Sequence, residues 1–259
     1  MGVGCVSTAS SAHTDLSRML RRAKRRGLFG PLARIHAGLP ETTCQNCARC
    51  CFESPGVFYV EHLRLVDHIS RQPRDVRQAL IRRALTELFF SWVDVDRQCI
   101  FLERGRCTVY DQRPLACRLF GLVAPRDREQ AETEARLAAR QDAGRLALLG
   151  IKVPEAIISR SLASCDRVRD LAGKPVTVNA DALAAQVARL DEALLPREAV
   201  VQEFCFWSLP ERLGAACWGS ETVEPLRLQL LRRAQQGERI ADLVERVRTS
   251  LRLPRALNP

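Results

Sequence analysis

The sequence predicts a mainly α fold, a helical domain whose irregular loops are organised around clustered cysteines. Two observations carry that reading. Apolar residues recur at steps of three and four over long stretches, the spacing of a helix face packed on a core. Seven of the eleven cysteines fall in two short segments, residues 44–51 and 99–117, where glycine, proline and charge interrupt any regular period. Only 56–60 and 175–178 invite a strand reading.

Taken in order, residues 1–30 read as a basic, flexible N-terminal segment. It has a small polar stretch at 7–11 and a basic run from Arg18 to Arg26. Residues 31–125 form the cysteine-rich region. Between its two cysteine segments lie a predicted helix near 60–70 and a second over 74–92. Val76, Leu80, Ala84, Leu88 and Trp92 line one stripe of the second helix, with Ile81, Leu85 and Phe89 beside them. Gln72-Pro73 separates the pair. Residues 126–259 form a helical extension expected to pack on the cysteine region. Its first helix is charged and Ala-rich and ends at Gly150. A later one carries Leu183, Val187, Leu190 and Leu194 and is ended by Pro196. The last carries Ile240, Leu243, Val244, Val247 and Leu251, is ended by Pro254, and follows a break at Gly237.

Composition narrows the class. Hydrophobic residues are 46% and charged residues 27%, enough for a buried core in a soluble protein. Aromatics are only 5%, so Leu, Val, Ala and Ile must fill that core. The net charge of +10 comes from arginine and permits nucleic-acid contact, but does not favour it, because the arginines are dispersed. No apolar run approaches the ~20 residues of a membrane span. No continuous apolar stretch follows the basic run before Pro31, as a secretory signal would require. The expectation is a cytoplasmic protein with no membrane partner. Eleven cysteines, an odd number in a long chain with seven of them clustered, then argue for reduced metal ligands rather than a disulfide framework.

The first segment places Cys44, Cys47 and Cys50 at two-residue gaps, followed directly by Cys51. A Cys-x-x-Cys turn folds back and aims two sulfurs at one point, and two such steps in tandem can surround one centre with three. The second segment supplies Cys99, Cys107 and Cys117. Gly105 allows a tight turn returning Cys107 toward Cys99, and Arg113-Pro114 fixes an extended residue before Cys117. All-sulfur ligation suits zinc or an iron–sulfur cluster, the 4Fe–4S type included. Four thiolates hold such a cluster, whereas two tetrahedral zincs would need all seven with one sulfur shared. Arg49, Arg97, Arg104, Arg106, Arg113 and Arg118 flank the sulfurs and would favour thiolates.

Cys50 and Cys51 are adjacent, so their side chains are expected to diverge, one ligating while the other packs or serves a second metal. Cys165, Cys205 and Cys217 read as apolar packing residues, with covering or joining the site as the alternative for the last two. Cys5 reads as a free tail thiol. His62 and His68 are six apart and share no helix face, so neither is a ligand candidate. Tyr110 and Arg113 read as supports for the ligands, with binding of a substrate anion as the alternative.

Residues 44–118 resemble the CxxCxxCC cysteine-cluster family, also called YkgJ-like. The resemblance rests on Cys44, Cys47, Cys50 and Cys51, then Cys99 with Phe101 and Leu102, Gly105 with Cys107, Tyr110, Arg113-Pro114, and Cys117-Arg118 with Phe120. Gly121 stands where members commonly carry proline, and residues 126–259 lie outside the resemblance. It implies chelation of zinc or iron. Three functions stay open on the sequence. One is a metal-binding protein with a structural or storage site. The second is an iron–sulfur-dependent redox or protein-modifying enzyme. The third is a zinc-braced nucleic-acid-binding module. A methyltransferase reading would want a G-x-G-x-x-G loop after a strand, and the chain has none.

Overall fold

In the computed structural model, which describes residues 16–52, 54–160, 165, 167–195, 207–251 and 257, the helical patterning becomes eleven α-helices and one two-stranded hairpin among the described residues. The helices are α1 (Leu16–Arg25), α2 (Phe29–Ala37), α3 (Tyr59–Ser70), α4 (Arg74–Phe90), α5 (Leu115–Leu119), α6 (Pro125–Leu148), α7 (Glu155–Ile158), α8 (Ala180–Glu192), α9 (Leu209–Trp218), α10 (Ser220–Gln235) and α11 (Ile240–Ser250). The hairpin pairs β1 (Leu102–Glu103) with β2 (Arg106–Cys107). No described helix is long and apolar enough to cross a membrane.

Two apolar cores share α4. Leu80 and Ala84 face the first, built from α1, α2, α3, α5, α8 and the hairpin region. Ile81, Leu85, Leu88, Phe89 and Phe90 face the second, built with the end of α6, α7, α10 and α11. Two apolar stripes on one helix let it join both, because residues three and four apart share a face while neighbours do not. Phe89 is fully buried and meets Trp218 edge-on, with ring centroids 5.6 Å apart.

Of the segment 1–30, read from the sequence as basic and flexible, the described part differs from that expectation. From Leu16 onward the chain is helical, and Leu16, Met19, Leu20 and Ala23 are buried in the first core. The basic residues occupy the other face, and Lys24 pairs with Asp67 on α3. A run that reads as charged is therefore an amphipathic helix whose apolar positions fall at i, i+3, i+4 and i+7. Residues 1–15 lie outside the described residues. Other differences are local. α4 stops at Phe90, two residues early, because the N–H groups of Val93 and Asp94 both turn back to the Phe90 carbonyl. Residues 175–178 form no strand, and Gly56 makes only an isolated bridge to Ser208. Gly237, with φ of +95°, does break the chain before α11.

Buried carboxylates set the heads of α3 and α5. Asp191 of α8 accepts the Tyr59 and Val60 N–H groups, each at 2.7 Å. Glu61, 2% exposed, accepts the Phe58 N–H at 3.2 Å and the Leu115 N–H at 2.6 Å. It also meets His36 Nε2 at 3.1 Å. Each otherwise orphaned N–H at these helix starts thus has a charged acceptor. Burial pushes Asp191 up to about 6, against the pull of those two N–H groups and of Arg212.

Candidate metal centre

Residues 41–52 contain no helix or strand beyond one isolated bridge, from Thr42 to Asp170. The Thr43 N–H donates to the Arg169 carbonyl at 2.9 Å, so the segment around 170 anchors its start. Asn46 and Ala48 both have left-handed backbone, φ 50° and 60°. Asparagine tolerates this; alanine there costs about 1 kcal/mol. The Cys51 N–H closes the turn onto the Ala48 carbonyl at 2.9 Å.

The second segment rests on regular elements. Arg104 and Gly105 have φ of 49° and 73°, the two positive values of a tight hairpin turn, and pair Leu102 with Cys107 across it. Arg113 is extended before Pro114, and α5 then carries Cys117. The segments are tied directly: the Cys99 N–H donates to the Cys51 carbonyl at 2.9 Å. Ser54 adds a second tie. Its N–H and hydroxyl donate to Glu87 at 2.8 and 2.6 Å, its oxygen accepts the Ile100 N–H at 3.3 Å, and it lies 3.8 Å from Cys99 Sγ.

The result is one pocket lined by Cys50, Cys51, Cys99, Cys107 and Cys117. Val57, Phe101, Val109, Pro114 and Leu209 supply its apolar wall, and Tyr110 and Arg113 its polar edge. Cys50 and Cys51 do not diverge as neighbours on an extended chain would. Both face the pocket, and the Cys51 S–H donates to Cys50. Cys44 and Cys47 are exposed and lie outside the pocket's lining; Cys44 instead reaches Tyr110. All of these are free thiols.

The thiols feel one another. The Cys51 hydrogen bond, helped by a backbone N–H and Arg113, draws Cys50 down to about 6, against desolvation. Donating that bond, then burial and the charges of Cys50, Cys99 and Cys107, holds Cys51 well up. Burial pushes Cys99 up to about 12 and raises Cys107, and burial followed by the charges of Cys99, Cys50 and Cys107 raises Cys117 strongly. Arg113 opposes this for three of them but cannot neutralise five sulfurs. Such a donor set fits a soft cation, whose charge would offset both desolvation and mutual repulsion. Among the described residues no three Cys, His, Asp or Glu side chains are drawn together at the spacing of a single ion's ligands. The fit is therefore one of donor chemistry and shared pocket.

Cys217 lies elsewhere, beside Leu88, Leu213 and Trp218, and only burial pushes it up, to about 12. Cys165 packs near Gly121, and Cys205 lies outside the described residues. Gly121 has φ of +87°, which proline cannot adopt, and a Cβ there would stand 2.8 Å from Val168 Cγ2. His62 is fully buried against Tyr59, far from a ligand role. Sequence reasoning missed Ser54, Glu61, Glu87 and Leu209. No spacing signal marks them, because each meets the site through tertiary contact.

Compared with known proteins, residues 43–139 match the family model CxxCxxCC, whose description reads "Putative zinc- or iron-chelating domain". No curated protein and no solved structure matches the chain. The matched residues contain all seven clustered cysteines, the hairpin turn and the Arg113-Pro114 step, so residues 43–139 are similar to the CxxCxxCC domain.

Proposed function

We propose that this protein chelates zinc or an iron–sulfur cluster through Cys50, Cys51, Cys99, Cys107 and Cys117, with Cys44 and Cys47 adding ligands from the outer loop. The observation that carries the reading is the meeting of five thiols from two distant segments in one pocket. Bound there, the metal would supply the positive charge that the buried sulfurs lack, and its binding energy would add to folding energy. Ser54 and Glu87 hold the backbone around Cys99, and Glu61 holds the head of the helix that carries Cys117. The site is structural or a store unless a coordination position stays open to a substrate. The cytoplasm, where thiols stay reduced, suits such a site.

Metal analysis with a visible spectrum on protein purified without oxygen tests this. Iron with broad absorption near ~400 nm would identify a cluster, and colourless protein with stoichiometric zinc the alternative. Protein lacking both metals under those conditions would overturn the reading.

A further inference from the structure

Three arginines crowd the turn between Tyr110 and α5. Arg113 lies over the Tyr110 ring, its Cζ 3.5 Å from the centroid, and its Nε donates to the Tyr110 carbonyl at 3.0 Å. Arg118 donates from Nε to the Arg113 carbonyl at 2.8 Å and from Nη2 to the Asp111 carbonyl at 2.6 Å. Arg64, reaching over from α3, donates from Nε to Gln112 Oε1 at 2.6 Å, while its Nη1 is buried without a hydrogen-bond partner. Their hydrogen bonds thus go to neutral oxygens. Among the described residues no carboxylate forms an ion pair with any of the three. Glu61 acts on Arg64 and Arg118, and Asp111 on Arg118, without ion-pair contact, and Glu61 is already engaged by His36, Phe58 and Leu115.

The positive charge is concentrated enough to be felt. The Arg118 guanidinium bridges the Arg113 and Asp111 carbonyls across the same turn that Arg64 reaches through Gln112. Guanidinium groups gathered with no carboxylate in ion-pair contact repel one another, and the arrangement is relieved by an anion that all three can reach. The cysteines do not explain all of it. Arg113 lines the cysteine pocket, but Arg64 and Arg118 are not part of its lining. Charge beyond what the sulfur pocket uses is therefore left at its edge.

We infer that Arg64, Arg113 and Arg118 form an oxyanion-binding site beside the cysteine pocket, suited to a phosphate or carboxylate group. Planar forked donors match both chemistries. The site stands on the arginine geometry and does not depend on which metal the cysteines hold.

The test uses the full chain with its native metal. Isothermal titration with inorganic phosphate in one arm and malonate in the other is run against sodium chloride at equal ionic strength. Saturable binding above chloride is expected. Phosphate alone assigns a phosphate-bearing ligand, malonate alone a carboxylate-bearing one, and both a general oxyanion site. Arg64→Gln should weaken that binding about tenfold or more, the scale of one lost charge-assisted bond, with metal content unchanged. Arg118→Lys, which keeps the charge but loses the fork, should weaken it less and serves if Arg64→Gln misfolds. Binding no better than chloride in both arms, or wild-type binding by both variants, would overturn the proposal.

Discussion

Cys107 lies on a paired strand and Cys117 on a helix whose first N–H is held by Glu61, whereas Cys44 and Cys47 lie on a loop that includes a left-handed alanine. The second segment rests on local geometry: turn, hairpin and proline each fix a dihedral or a bond. The first is anchored at both ends, at Thr43 and at Cys51, and irregular between. Its two outer thiols stand in solvent and its two inner ones in the pocket. The difference teaches that the two sides of one pocket can be built differently, one on regular elements and the other on a loop fixed at its ends.

The largest test of that asymmetry is substitution within each half. Cys107→Ser and Cys117→Ser should abolish metal binding and lower the melting temperature, since ligand energy is folding energy. Cys47→Ser should retain metal but release it faster to a chelator. Complete metal loss from Cys47→Ser, equal to that of Cys117→Ser, would erase the distinction between inner and outer thiols.

Preorganisation itself can be removed next. Glu61→Ala strands the Leu115 and Phe58 N–H groups in the core, and should cost about 3 kcal/mol in urea denaturation. Its metal should be lost more readily although no ligand has changed. Stability unchanged within error would show that the head of α5 needs no such support.

A pH test probes the same frame. His62 is fully buried and held well below its usual 6.5, mainly by burial, then by Arg212. A depressed folded pKa means that its contribution is complete above pH 6.5 and is lost as pH falls toward the folded value, by up to about 1.4 kcal/mol per unit. Asp191, raised to about 6, acts oppositely: protonating it favours the fold, and that gain is fully present below its ordinary 3.8 and lost as pH rises through about 6. His62→Leu should therefore gain stability relative to wild type below pH 6.5, read from urea midpoints. Parallel pH profiles for the two proteins would contradict this.

The smallest effect belongs to the loop. Ala48→Gly relieves the left-handed alanine and should raise stability by about 0.5 kcal/mol, the balance of relieved strain and added chain entropy. A clear loss would mean that the Ala48 methyl packs usefully.

Much of this was legible in advance. The stripes that include Leu80, Leu88, Val187 and Val247 announce helices, because burying one face requires that spacing whatever the partner. The tandem cysteines and the Gly105 turn announce a chelating site, because their geometry is local. In α1 a density of arginine hides four apolar positions on the other face of the helix. Ser54, Glu61 and Glu87 left no trace, since a single polar residue meets its partner only after folding.

The sequence by itself determined the helical class, the seven thiols and the turn that returns Cys107. Those follow from side-chain period, ligand chemistry and backbone dihedrals, which neighbouring residues settle. Only the tertiary structure decided which five thiols face a common pocket, that Leu209 helps to wall it, and that three arginines gather beside it with no ion pair among the described residues. Such choices depend on which surfaces meet, and contacts between residues such as Glu61 and Leu115, or Cys51 and Cys99, are fixed by the packing of whole helices rather than by any local pattern.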